Sequence, residues 1–219
     1  MKKYLAEIIG TFALVFCGTG AIITNQESHG VITHVGIAIT FGLIVSAMIY
    51  TVGDISGAHL NPAVTIAFWV SGSFPVRHVF PYILSQATGA FLASFVLKFL
   101  FPLNSTLGAT LPAGSAMQSF VLELILTFIL MFVILHVAKG SKEQGMFAGI
   151  AIGGVVLLEA MFAGPICGAS MNPIRSLSPA VVSGHTEHLW VYLSAPVSGA
   201  ILAVGCWMVL QKDGHKNAR

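Results

Sequence analysis

Two asparagine-proline dipeptides, Asn61-Pro62 and Asn172-Pro173, an arginine just beyond the second, Arg175, and three acids, Glu7, Glu123 and Glu159, stand out in this sequence because nearly everything around them is apolar. Asn is a strong N-cap and Pro a strong first helical residue, so each dipeptide marks a helix start. Each carboxamide also carries an NH2 that can donate to a passing solute. An acid in apolar surroundings points first to proton relay.

The elements that hold these residues follow from composition. Of 219 residues, 56% are hydrophobic and 8% charged, with mean hydropathy +0.88, against roughly 25% charged in a soluble domain. A water-soluble globule is excluded. Six stretches of membrane-spanning length follow one another: Leu5–Ile23, Val31–Gly53, Val79–Leu97, Ala116–His136, Gly145–Gly164 and Leu189–Gln211. The only charges inside them are Glu7, Glu123 and Glu159. This predicts an all-α integral membrane protein of six transmembrane helices. The connections are too short for a second folded domain, so residues 1–219 read as a single transmembrane domain.

Net charge of +2 matters less than its placement. With a cytoplasmic N-terminus, Lys2, Lys3, Arg77, Lys139, Lys142, Lys212, Lys216 and Arg219 all fall inside. Lys98, at a helix end, is expected to snorkel to the far interface, which leaves Arg175. The N-terminal Met1-Lys2-Lys3 and its apolar run do not fit a signal peptide, because Glu7 interrupts the run and Phe16 is too large for a cleavage position. Cys17, Cys167 and Cys206 suggest no disulfide framework.

The chain repeats itself. Glu7–Phe12 in the first span is matched by Glu123–Phe128 in the fourth, and Gly36–Ile39 in the second by Gly149–Ile152 in the fifth. Ser56–Pro62 is matched by Cys167–Pro173, and Gln86–Ala90 by Pro196–Ala200. Two halves of three spans, about 1–101 and 116–211, result. An odd number of spans makes the second half enter the membrane from the opposite side, an inverted repeat with its site at the midplane. The third match precedes only about ten mostly apolar residues, Ala63–Ser71 and Ile174–Ser183, which read as re-entrant half-helices, tolerated where irregular backbone lines a cavity. Inversion brings them N-terminus to N-terminus, each end carrying roughly half a positive charge. Cations and hopping protons meet a barrier there, and neutral hydrogen-bonding solutes do not.

The boxes Ser56–Thr65, SGAHLNPAVT, and Gly168–Ala180, GASMNPIRSLSPA, resemble those of the aquaporin or major intrinsic protein family, across essentially the whole chain. Ala163-Gly164-Pro165-Ile166 before the second box looks most like the nodulin-like branch, the metalloid channels and their bacterial relatives. One departure is Asn-Pro-Ile at Asn172–Ile174 where the family usually has Asn-Pro-Ala.

The resemblance implies a right-handed bundle of six helices with two re-entrant half-helices, assembled as a homotetramer in the cell's plasma or inner membrane with both termini cytoplasmic. It implies a passive channel for small neutral solutes, arsenious acid, boric acid, glycerol and urea, with water as a secondary permeant. A water-selective aquaporin is the alternative; an ion-coupled transporter and an intramembrane enzyme are less favoured. No cofactor and no nucleic acid is expected, and the partners are the solutes, water and membrane lipid.

By the same resemblance Asn61, Pro62, Ala63, Asn172, Pro173 and Ile174 form the central constriction, and Phe41, Ala160, Ala169 and Arg175 the outer selectivity filter. A guanidinium at membrane depth costs at least about 2.5–3.5 kcal/mol, so Arg175 is expected to face the pathway. One aromatic and two alanines beside it make the opening wider than a water filter. Ser176 and Ala180 follow the water-channel pattern, and Tyr192-Leu193 departs from it. The duplication of Glu7 and Glu123 argues against proton relay and for accepting hydrogen bonds from the loop before each half-helix. Glu159 has no duplicate, and two roles stay open, in the filter or packed behind it. His59 is expected to brace its loop or face the pathway, and Cys167 to be reachable from the outer vestibule. His34, His78, His136, His185, His188 and His215 show no metal-ligand spacing. Gly149-xxx-Gly153 and Gly164-xxx-Gly168 fit close helix contacts.

Overall fold

The computed structural model describes residues 1–214, with side chains through residue 211. Lys216, Arg219 and His215 lie outside the described residues, as does the side chain of Lys212. Among the described residues six helices are long and apolar enough to cross a membrane: α1 Lys2–Glu27, α2 Thr33–Ser56, α4 Val79–Leu100, α5 Ala116–Ala138, α7 Ala148–Cys167 and α9 Leu189–Gly214. Two half-length helices, α3 Pro62–Val70 and α8 Pro173–Ser183, follow the Asn-Pro dipeptides, and a short α6 spans Lys142–Met146.

Local sequence sets these boundaries. The Asn61 side chain caps α3 by accepting from the Ala63 N–H, and that of Asn172 caps α8 by accepting from Ile174 and Arg175. Both half-helices begin at the proline itself with the asparagine as N-cap, as the dipeptides predict. The spans ahead of them end alike, α2 at Gly57 and α7 at Gly168, both left-handed at φ 85° with the N–H returned to the carbonyl four residues back. The fifth span starts at Ala148 rather than Gly145. A capping box between Ser141 and Gln144 folds the preceding residues into α6 instead.

The inverted repeat is visible in the packing. α1 lies against α4 and α5 against α9, each pair in backbone contact at one glycine. A Cβ at Gly89 would collide with the Ile8 carbonyl oxygen, and one at Gly199 with that of Leu124, the equivalent residue. The halves join along α2 and α7. Each half-helix packs against the last span of the opposite half, α3 on α9 and α8 on α4, where Ser94 Oγ donates to Ser178 Oγ at 3.0 Å. α3 and α8 therefore cannot shift without displacing both halves. The connection Phe101–Ser115 is partly buried, with Asn104, Leu107 and Thr110 under cover.

Candidate functional site

A cavity with about 150 Å³ of water-accessible space runs between the halves. Its wall is mostly apolar, from residues such as Leu14, Val45, Ile134 and Val156. Polar groups gather at two levels. At the middle are Asn61 and Asn172, and at one end Arg175 stands with Phe41, Ala160 and Ala169.

The asparagines are held symmetrically. Oδ1 of each accepts from its own half-helix, from Ala63 N at 2.9 Å and Ile174 N at 3.1 Å. Nδ2 of each donates across to the opposite loop, Asn61 to the Met171 carbonyl at 2.8 Å and Asn172 to that of Leu60 at 2.9 Å. Each amide has two N–H groups, so one remains for the cavity. The N-termini of α3 and α8 are thereby locked together, and both positive dipole ends face the same point. Pro62, Ala63, Pro173 and Ile174 do not line the cavity; they are buried in the first turns of α3 and α8.

The loops before the half-helices carry four non-glycine residues at positive φ: Ala58 and Leu60 in the first, Ala169 and Met171 in the second. Such conformations cost of order 1–3 kcal/mol each and persist only where surroundings enforce them. The buried acids supply that enforcement. Glu7 accepts from His59 N at 3.0 Å, Leu60 N at 2.8 Å, Ser56 Oγ at 2.7 Å and Gln86 Nε2 at 2.8 Å. Glu123 accepts from Ser170 N at 2.7 Å and Met171 N at 2.8 Å, the equivalent pair. With the N–H groups drawn back to the carboxylates, the loop carbonyls of Leu60 and Met171 are left to meet the asparagines.

Arg175 is almost completely buried. Its Nη1 donates to the Gly108 carbonyl at 2.9 Å, and its guanidinium carbon lies 4.9 Å from the Phe41 ring centroid. His59 lines the cavity while bonding Thr65 Oγ1 through Nδ1 at 3.1 Å and stacking on Phe68, so it both braces and faces the pathway. Glu159 is buried off the cavity, and among the described residues neither carboxylate oxygen has a partner. The packed position is the observed one. Cys167 is not in the vestibule: it is fully buried, with Sγ directed at the Ala163 carbonyl, because it occupies the last turn of α7.

The sequence matches the family described as Major intrinsic protein over residues 1–207. The chain belongs to this family. Aquaporin NIP1-1 of Zea mays is 50% identical over 208 residues, 94% of this chain and 73% of that protein. Nodulin-26 of Glycine max is 48% identical over 209 residues, 95% of this chain and 76% of that protein. The structure of the aquaglyceroporin from Plasmodium falciparum superposes with a TM-score of 0.80 at 28% identity, covering 93% of both chains. This major intrinsic protein is a channel for small neutral solutes and water, not an enzyme, and its relatives place it with the nodulin-like branch.

Three supports of this major intrinsic protein's site escape sequence reasoning. Tyr82 OH donates to the Ser56 carbonyl at 2.9 Å and Tyr192 OH to that of Cys167 at 2.7 Å, so equivalent tyrosines close the ends of α2 and α7. Their duplication, 110 residues apart, was the available signal. Gln86 reaches both Glu7 and Thr65, and Pro196 stands at its equivalent. The Phe101–Ser115 connection holds the Arg175 head through Gly108 and bonds Ser176 through Thr110 Oγ1 at 2.7 Å. No pattern in that segment marks it.

Proposed function

We propose that the channel passes small hydroxylated neutral solutes, arsenious acid, boric acid, glycerol and urea, with water as a secondary permeant, and rejects ions and protons. The observation that carries this is the outer level of the cavity, one aromatic and two alanines around a buried arginine. Arg175 offers donors to a hydroxyl or carbonyl oxygen, Phe41 a flat apolar wall, and Ala160 and Ala169 leave room for a branched solute. At the centre, the free N–H groups of Asn61 and Asn172 bind a solute oxygen from two sides. A water accepting from both has no acceptor role left along the chain of waters, which breaks proton transfer.

The whole chain acts as a single unit of two inverted repeats, with one pore per chain and four chains to an assembly. The clustering of Lys2, Lys3, Arg77, Lys139 and Lys142 supports cytoplasmic termini in a plasma or inner membrane.

The test is uptake into proteoliposomes of arsenious acid, glycerol and water. Facilitated uptake of all three, unaffected by a protonophore, is expected. Water flux with no arsenious acid or glycerol flux would replace this reading with a water-selective channel.

A further inference from the structure

Two of the constriction residues, Phe41 and Ala160, sit on a pair of antiparallel helices that is fixed at two points. At the first, α2 and α7 pass backbone to backbone: a Cβ at Gly42 would crowd the Gly153 carbonyl oxygen, and one at Gly153 would crowd that of Gly42. Phe41 is next to this crossing. The second point is eight residues outward on both helices, about 12 Å at 1.5 Å per residue. There the Nε2 of His34 lies 2.7 Å from the Met161 carbonyl oxygen. A carbonyl only accepts, so the imidazole is the donor.

The Met161 carbonyl needs that donor. The residue four positions on, whose N–H would close the helical bond, is Pro165, which has none. Gly164 makes the approach possible, since a Cβ there would come within 2.8 Å of His34 Cε1. The peptide held in this way is that of Met161, adjacent to Ala160.

We propose that His34 is a positioning residue that sets the width of the outer constriction, by tying the outer turns of α7 to α2 through the carbonyl that Pro165 leaves without a helical donor. This rests on the reading of Phe41, Ala160, Ala169 and Arg175 as the constriction. Without the bond, the outer part of α7 pivots about the Gly42–Gly153 crossing. Ala160 is seven residues from the pivot and moves, while Phe41 is beside it and stays.

The experiment compares glycerol and water permeability, per reconstituted channel in proteoliposomes, for the parent, His34→Leu, His34→Gln and His34→Asn. Glutamine carries an amide nitrogen to where Nε2 sits, whereas asparagine reaches only the Nδ1 position. Leu and Asn are expected to change the glycerol-to-water ratio by about threefold or more, the effect of losing one net hydrogen bond, and Gln to keep it near the parent value. In a Pro165→Ala background the restored backbone N–H satisfies the carbonyl, so His34→Leu should then change nothing. An unaltered ratio in His34→Leu, a Gln variant that behaves like Leu, or an equal effect of His34→Leu in the Pro165→Ala background overturns the proposal. If His34→Leu does not assemble, the contrast between Gln and Asn decides. Ala160→His is measured alongside. A ratio that it moves while His34→Leu does not removes the role of His34 alone; a ratio that it leaves unchanged removes the constriction reading and this role with it.

Discussion

The Arg175 guanidinium lies against the Phe41 ring, 4.9 Å from centroid to guanidinium carbon, while its Nη1 is tied to the Gly108 carbonyl. A cation over an aromatic face is stabilised electrostatically, and the hydrogen bond to Gly108 restrains the head as well. The two side chains, both lining the cavity, therefore fix each other.

Arg175→Val removes the fixed charge at that level and leaves only the dipoles of α3 and α8 against cations. The variant should conduct small cations across planar bilayers while still passing neutral solutes. A conductance equal to the parent's would mean that Arg175 is not the cation barrier.

Gly18 lies behind Phe41, and a Cβ there would overlap the ring. Gly18→Ala should push the ring toward Arg175 and narrow the opening, lowering glycerol flux more than water flux. Adding Phe41→Ala should restore glycerol flux, and failure of that rescue would break the proposed link between the two positions.

Two of the buried acids should separate by substitution. Glu7 accepts four hydrogen bonds, and Glu7→Leu strands at least the His59 and Leu60 N–H groups, each costing about 1–3 kcal/mol when buried without a partner, while Ser56 Oγ and Gln86 Nε2 keep only their second acceptors, the Val52 carbonyl and Thr65 Oγ1. Severe loss of folded protein is expected. Glu159 accepts none among the described residues, and Glu159→Gln, which keeps the shape of the side chain and breaks no hydrogen bond, should leave the melting temperature in detergent close to the parent's. A strongly destabilised Glu159→Gln would point to a partner for that carboxyl.

Legibility in the sequence followed duplication. The spans, the half-helices and the pairing of Glu7 with Glu123 each occur twice, so chemistry that is ambiguous once becomes readable when an inverted copy constrains it. Glu159 and Cys167 lack that support. Glu159 has no duplicate, and helical spacing alone cannot say which face of α7 meets the cavity when almost every face is apolar. Cys167 stands where the first half has Ser56, whose hydroxyl donates to Glu7, and the exchange of hydroxyl for thiol hid the shared buried position. The start of α7 is not legible from hydropathy, because polar residues Lys142–Gln144 form their own capped turn, a local hydrogen-bond effect that hydropathy does not register.

Ile174 is buried in the first turn of α8 and does not line the cavity. Ile174→Ala should cost about 2–5 kcal/mol through lost burial and a residual void, seen as a lower melting temperature, with the glycerol-to-water ratio preserved. Altered solute preference without loss of stability would place Ile174 in the pathway instead.

Ala160→His bears most directly on the claim that the outer opening selects by size. The imidazole fills the volume beside Arg175 and adds a donor for a water oxygen. Proteoliposome fluxes of arsenious acid and glycerol should fall by about tenfold or more, equivalent to about 1.4 kcal/mol of added barrier, while water flux falls much less. Equal proportional loss of all three, in protein that is folded and assembled, would contradict the assignment of Ala160 to the constriction.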